Sequence, residues 1–507
     1  MAHAAGQDEF VISFHSMPTF MDPHRARVSA NVAVNSNVFD TLFQVVDDDA
    51  PNSLILESWK AESDHVWLFR LKQGIRFHDG SPLTSKDVVY SFDRIRELPD
   101  SDYATFIKRW ERYEAVDDYT VRIVTQQPNA NLLRDVGRIF IIKHRDTPLT
   151  TENFVAEKGY IGTGAYRLDE VTPEGDIRLS ANPDYHGNPV FLKKIRITRI
   201  ADPKARVQAL QDNKIQLAEG LTEAEVALLD GVNTASVVRS PTHRLLHFHL
   251  DMFRDQSPFV RGAEGEVLKE NPLKNIKVRR ALSLAINRDV LVNEVLRGQG
   301  IAAGQYMLPG VLGHIPGMEA DPWSPDEARR LLAEAGYPKG FQLTLHGSNN
   351  RYLKDKEVVE AVAAMWTAVG VTTTPVTLDR KAFFAASTKH EYSASMLGVS
   401  TDGNLQAFLE VLLHTQTPEL GLFNDGRYSN SEVDALIDQA GQQFNQVSRI
   451  RSLAQASELA LNDYGIIPLF FEKAVWVMRT DVGGEFWPTR MGYTVAADVR
   501  QASRPAE

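Results

Sequence analysis

The chain has no cysteine among its 507 residues, so disulfides, thiolate metal sites and cysteine nucleophiles are excluded. That absence leaves the compartment open, because a chain this long builds a core without cross-links in any redox environment. Long apolar runs are missing too. No window approaches the roughly 18 residues of a membrane helix, and stretches such as Gly465–Phe471 fall far short. Positive charge is in deficit, with 55 Lys and Arg against 66 Asp and Glu and a net charge of −11. Phosphate backbones are bound by clustered cations, so an acidic chain argues against a nucleic-acid partner. Catalytic signatures are absent as well: there is no G-x-S-x-G, S-x-x-K, H-E-x-x-H or G-x-x-x-x-G-K.

What is present is an ordinary globular composition, 43% hydrophobic and 24% charged. Single cores stop growing near ~250–300 residues, so this length calls for two or more lobes. At the N-terminus no basic stretch leads into an apolar segment, so no intact signal peptide is expected. Ala2–Gln7 reads either as the small-residue zone around a cleavage site or as a plain polar start.

The first half reads as strands with few helices. Val11–His15, Val66–Leu71, Thr120–Thr125 and Lys193–Ile200 are β-rich runs with polar or glycine punctuation, and Lys204–Asn213 is a short helix. Ala165–Val171 and Asp176–Ala181 are joined by Thr172-Pro173-Glu174-Gly175, a hairpin signal. From about Lys274 helices alternate with strands. Lys277–Leu296 carries one apolar stripe, and Ser324-Pro325-Asp326-Glu327 opens a helix with Ser324 as cap and Glu327 closing a capping box. Strands follow at Phe341–His346, Val371–Leu378, Ser393–Val399 and Ile467–Met478, with helices at Lys356–Val369, Ser431–Gln443 and Ser448–Asn462. That alternation predicts an α/β second lobe with a largely parallel sheet.

Three features invite a chemical reading. Gly162-Thr163-Gly164 lacks the third glycine of a phosphate loop and reads as a tight turn. His243, His247 and His249 alternate on one strand and could share a face, either as metal ligands or as a solvated edge. Asp47-Asp48-Asp49 lacks the ligand spacing of a calcium loop and reads as a solvated turn.

Phe69-Arg-Leu-Lys-Gln-Gly-Ile-Arg-Phe-His-Asp-Gly-Ser-Pro-Leu-Thr-Ser-Lys-Asp-Val-Val-Tyr-Ser-Phe92 is a strand, a turn and a helix capped by Thr84 with Asp87 at its third position. It closely resembles the signature of the extracytoplasmic solute-binding proteins of peptide and nickel ABC importers. Five further segments resemble that family in the same order: Gly162–Tyr166, Asn182–Gly187, Val278–Arg288, Gly336–Phe341 and Tyr428–Ile437. The resemblance spans about residues 10–480.

The resemblance implies an α/β, bilobal periplasmic-binding-protein-like fold of class II that encloses ligand between its lobes. Lobe I would combine residues 1–39, 160–248 and 480–507; residues 40–159 would be an inserted subdomain, and lobe II would span 249–479. Crossings near His247–Asp251 and Val477–Asp481 would form the hinge. Expected partners are a small-molecule or peptide ligand and an inner-membrane ABC permease. The chain is expected to act as a periplasmic monomer without a cofactor, and not as an enzyme.

In the dipeptide-binding branch an arginine after a lobe II strand pairs with the ligand carboxylate. Arg351, in Asn349-Asn350-Arg351-Tyr352, matches that place; the alternative is an exposed loop arginine. An aspartate after another strand holds the ligand ammonium, and Asp402, beside Thr401, matches it; the alternative is an Asx turn. Val399 and Asn404-Leu405-Gln406 depart from the family pattern there, which leaves the ligand class open. Phe20 and Met21, in the loop after the first strand, would supply an adaptable apolar wall or simply pack in the core. Two rivals stand beside this reading: a nickel- or metal-chelate receptor using histidines such as His414 or His247, and a hydrolase using an Asp/His pair.

Overall fold

A computed structural model describes residues 9–44, 52–156, 158–229 and 234–502. The Ala2–Gln7 and Asp47–Asp49 readings lie outside the described residues. Contacts between Cα atoms divide the chain into two compact units, 1–240 with 474–507, and 241–473.

The first unit contains β1 (Phe10–Phe14), β2 (Leu56–Ala61), β3 (Val66–Leu71), β4 (Trp110–Asp117), β5 (Thr120–Thr125), β6 (Tyr166–Val171), β7 (Ile177–Ala181), β8 (Lys194–Arg199), β9 (Leu217–Glu219) and the start of β10 (Ala235–Leu250). A four-stranded antiparallel sheet, β2-β3-β5-β4, is built within residues 56–125. The remaining strands order as β9-β1-β8-β7-β6, with β1 parallel to both β8 and β9. The β6–β7 hairpin forms as its turn residues predict, with Gly175 at φ 90°.

Local signals fix many boundaries. Thr84 and Asp87 close the expected capping box of the helix Ser85–Glu97, with Thr84 N donating to Asp87 Oδ2 at 2.7 Å. The chain bends over Thr163–Ala165, as expected of a turn there, and Gly162 has a second role. A Cβ there would lie 1.9 Å from the carbonyl oxygen of Val38, so the glycine permits close backbone approach.

The second unit holds the rest of β10, then β11 (Val260–Gly262), β12 (Gly300–Ala302), β13 (Phe341–Ser348), β14 (Val371–Leu378), β15 (Ala394–Val399) and the first part of β16 (Ile467–Arg479). Its sheet is mixed, where a largely parallel one was expected. β13 is parallel to β14 and β15, while β10–β15, β11–β13 and β12–β16 are antiparallel. The chain re-enters the first unit through β16, whose last residues pair antiparallel with β9, and ends with the pair β17 (Gly484–Phe486) and β18 (Val499–Gln501). The chain crosses between units at Ser240–Pro241 and Lys473–Ala474, inside β10 and β16 and earlier than the positions expected for a hinge.

Two helix readings change. The expected helix over Lys277–Leu296 is split into Ile276–Leu284, a turn at Arg288–Val290 and a π-helical turn at Leu291–Val295. Asn287 interrupts it by accepting from Val290 N at 3.0 Å, a cap that starts a new turn. Ser324 does sit at the N-cap of Pro325–Glu334, but its side chain makes no cap bond; Glu327 is drawn to Arg330 Nε at 2.7 Å. The second core gathers around Trp366, fully buried, whose Nε1 donates to Leu282 O at 2.9 Å.

Candidate functional site

Because β14, β13 and β15 run parallel, their carboxyl ends open at one edge of the second unit's sheet. In open α/β sheets this edge is where loops gather around ligands. Backbone and side-chain bonds lock the three loops together. Asn349 N donates to Leu378 O at 3.0 Å, and Asn350 Nδ2 to Asp379 Oδ2 at 2.9 Å. Tyr352 Oη donates to Gly398 O at 3.2 Å, and a Cβ on Gly398 would lie 2.8 Å from the tyrosine ring, so only glycine lets the loop settle there. Asp355 Oδ2 accepts from Ser348 Oγ at 2.7 Å and from the amides of Arg351 and Tyr352 at 2.9 and 3.2 Å. The loop carrying Arg351 is therefore held in one shape before any ligand arrives.

Arg351 is half-buried, its guanidinium 5.2 Å from the centre of the Tyr352 ring. Among the described residues that guanidinium makes no hydrogen bond or ion pair. Burial lowers its pKa, and the positive charges of Arg244 and Arg380 push the same way. An arginine so placed remains a cation at neutral pH. The arrangement offers a planar, preset fork to an incoming carboxylate.

Arg244 reaches the same edge from β10, which pairs antiparallel with β15 through Leu245 and Val399. Its Nη1 donates to Glu472 Oε2 at 3.0 Å. Burial lowers its pKa, but the attraction and hydrogen bond of Glu472 outweigh that and raise it. Glu472 Oε1 accepts from Leu353 N at 3.2 Å, in the Arg351 loop. The sequence reading missed both Arg244 and Glu472. The available signal was a carboxylate inside the apolar run of β16, flanked by Phe471 and Lys473.

Asp402 lies in the loop after β15, half-buried and left-handed at φ 55°. Thr401 closes its turn, donating from Oγ1 to Asn404 O at 3.0 Å. Asn404, rather than Asp402, caps the helix Leu405–Leu412, accepting from Ala407 N at 2.9 Å. Arg351, Asn349, Thr401 and Asp402 thus stand on loops of one edge. Phe20 and Met21 belong to the first unit. Phe20 lies 5.1 Å from Arg25 and is 36% exposed, while Met21 packs against the first core.

The histidines separate. His243 lies against Gly403. His247 and His249 face each other in the interior, Nε2 to Nε2 at 3.0 Å, both buried. His414 is buried near Asp434 and Asp438. Among the described residues no group of three or more His, Asp or Glu is arranged to hold a metal ion. No described helix is long and apolar enough to cross a membrane.

The chain thus has a two-unit α/β architecture, with the Arg351 loop at the carboxyl edge of the second unit's sheet. Residues 50–418 match the family described as bacterial extracellular solute-binding proteins, family 5 Middle, and the chain belongs to that family. It is the extracytoplasmic solute-binding component of an ABC importer. It is 28% identical over 500 residues to the glutathione-binding protein GsiB of Escherichia coli O1:K1 / APEC, covering 94% of this chain and 92% of that protein. Its fold is similar to the ABC transporter substrate-binding protein CtaP of Listeria monocytogenes, with TM-score 0.83, 19% identity, and 97% and 99% of the two chains covered. It is also similar to the periplasmic binding protein DppA of Helicobacter pylori, solved with the peptide STSA, with TM-score 0.74, 20% identity, and 97% and 98% covered.

Proposed function

We propose that this chain captures a small peptide-like or zwitterionic solute in the periplasm and delivers it, as a monomer and without chemical turnover, to an inner-membrane permease. Arg351 receives the ligand carboxylate and Asp402 its ammonium, with Asn349 and Thr401 beside them. The observation that carries this reading is the half-buried Arg351 guanidinium, which makes no hydrogen bond or ion pair among the described residues. The names of the GsiB and DppA relatives, a tripeptide and a tetrapeptide binder, support the ligand class. We also read residues 40–159 as a subdomain inserted into the first lobe, supported by the separate sheet within residues 56–125.

Calorimetric titration of the whole chain with trialanine, Ala-Ala-Glu and glutathione tests the site. Arg351→Ala is expected to weaken every carboxylate ligand by about 2–5 kcal/mol, the usual loss when one member of a desolvated charge pair is truncated. Unchanged affinity would remove Arg351 from the site. Asp402→Asn is expected to weaken ligands with a free amine by more than about tenfold, about 1.4 kcal/mol, and to leave their N-acetyl forms unaffected. Equal losses on both forms would point to a damaged loop instead of a lost ion pair.

A further inference from the structure

The geometry points to Glu472 as the residue that sets how many ligand carboxylates this site accepts, an inference that rests on the reading of Arg351 as the carboxylate fork. Glu472 is only 8% exposed and sits one residue before the Lys473–Ala474 crossing. Both its carboxylate oxygens are used: Oε2 by Arg244 Nη1 at 3.0 Å and Oε1 by the amide of Leu353 at 3.2 Å. Its backbone oxygen accepts from Thr242 Oγ1 at 3.0 Å. One side chain therefore ties β16 to β10 and to the loop that presents Arg351.

The charges decide what this tie does. Arg244 and Arg351 repel each other, and Glu472 attracts both. Arg380 also reaches Arg351 but is exposed, so solvent and salt screen it within a Debye length. The Arg244–Glu472 ion pair is neutral as a unit, and the buried Asp355 carboxylate is engaged by Ser348 Oγ and the amides of Arg351 and Tyr352, so the Arg351 guanidinium keeps a positive charge with no ion-pair partner among the described residues. A single ligand carboxylate on Arg351 balances it. A second carboxylate at the same end of the ligand meets Glu472, and repulsion in this partly buried setting is weakly screened. Glu472 thus compensates Arg244, keeps the Arg351 loop in place through Leu353 N, and selects against dicarboxylate termini.

The test compares trialanine with Ala-Ala-Glu, which places two carboxylates at one end, by calorimetry on the whole chain. Wild type is expected to favour trialanine. Glu472→Gln keeps an oxygen for Leu353 N and removes the charge, so the affinity ratio should move about tenfold toward Ala-Ala-Glu. Glu472→Asp keeps the charge and should keep the wild-type ratio. The double variant Glu472→Gln/Arg244→Gln removes both charges of the ion pair, restores the wild-type net charge beside Arg351 and should return the ratio to wild type, a recovery that a merely structural role would not produce. An unchanged ratio in Glu472→Gln, or an equal shift in Glu472→Asp, overturns the inference. If Arg351→Ala abolishes trialanine binding while the Glu472→Gln ratio stays fixed, only the Glu472 inference falls. If Arg351→Ala leaves trialanine binding intact, or wild type binds neither peptide, the Arg351 reading falls with it.

Discussion

Arg94→Met is expected to destabilise the first unit by about 3–5 kcal/mol, the cost of leaving a buried charge without its partner. Arg94 and Asp22 are 3% and 0% exposed at their side chains and form a bidentate pair, at 2.9 and 2.6 Å. Arg94 Nε also donates to Leu149 O at 3.2 Å, and its guanidinium lies 4.7 Å from the Phe154 ring. Asp22 takes further bonds from Thr151 Oγ1 at 2.7 Å and His24 N at 2.9 Å. Burial raises the Asp22 pKa, but the hydrogen bond and charge of Arg94 outweigh it and the net shift is downward. Methionine fills much of the volume and supplies neither donor nor charge. For a unit of this size the loss should lower Tm by roughly 6–20 °C. Asp22→Asn/Arg94→Met removes both charges and should recover part of the loss in a double-mutant cycle. A loss below about 1 kcal/mol at pH 7 would show that the pair is not the anchor of the loop that carries Phe20 and Met21.

Acid is expected to unlock the interior of the second unit. The His247 ring donates from Nδ1 to Leu245 O at 3.3 Å, which makes its Nε2 an acceptor. His249 must then donate from Nε2 across the 3.0 Å contact, and its Nδ1 is left as a bare acceptor. His249 lines a cavity of about 10 Å³, room for a single water, with Ser387, His390, Ser395 and Asp425. A proton added at His247 Nε2 would set two N–H groups face to face, and one added at His249 Nδ1 would place a charge in the buried interior.

Burial holds His247 and His346 at a pKa of about 4, and lowers His249 well below its ordinary value and His390 less far. Their folded values lie below the unfolded value of about 6.5, so the unfolded chain binds more protons between those limits. The stability they provide is present above about pH 6.5 and is lost as pH falls toward 4. For fully buried His247 alone the displacement from 6.5 to about 4 is worth about 3 kcal/mol. Asp425 acts the other way. Burial pushes its carboxyl up to about 6, so its favourable neutral form is gained as pH falls through that value and offsets part of the loss. Asp251, Arg254 and Arg427 are the remaining charges around His390. Proton NMR of the imidazole signals should find His247 and His249 neutral at pH 5.5. Unfolding free energy should fall between pH 6.5 and 4, more steeply in Asp425→Asn, which removes the offset. A His247 titration near 6.5, or a flat stability profile, would contradict this account.

Much of the local structure was legible. Thr84 and Asp87 lie three residues apart, so their capping box follows from helix geometry alone. Thr172–Gly175 and the β-rich runs on either side needed no partner to announce a hairpin. The same reasoning placed Arg351 and Asp402 after strands, on loops that a family resemblance marks for ligand. It failed where a distant group competes. Glu327 suits a capping box, but Arg330 draws its carboxylate away; Lys277–Leu296 has one apolar stripe, but Asn287 starts a new turn within it.

The site's charge balance lay beyond local pattern. Arg244 and Glu472 are separated by 228 residues, and nothing in either neighbourhood names the other. Their contact depends on which strands become neighbours and in what register, since a shift of one residue turns each side chain to the opposite face. The mixed sheet and the His247–His249 pairing inside it were settled in the same way. Periodicity, capping residues and turn residues act over a few positions, so the chain alone could specify its elements and its family. Strand order and burial join residues that are remote in sequence, so only the folded chain could decide that Arg244 is paired with Glu472 while the Arg351 guanidinium has no ion-pair partner among the described residues.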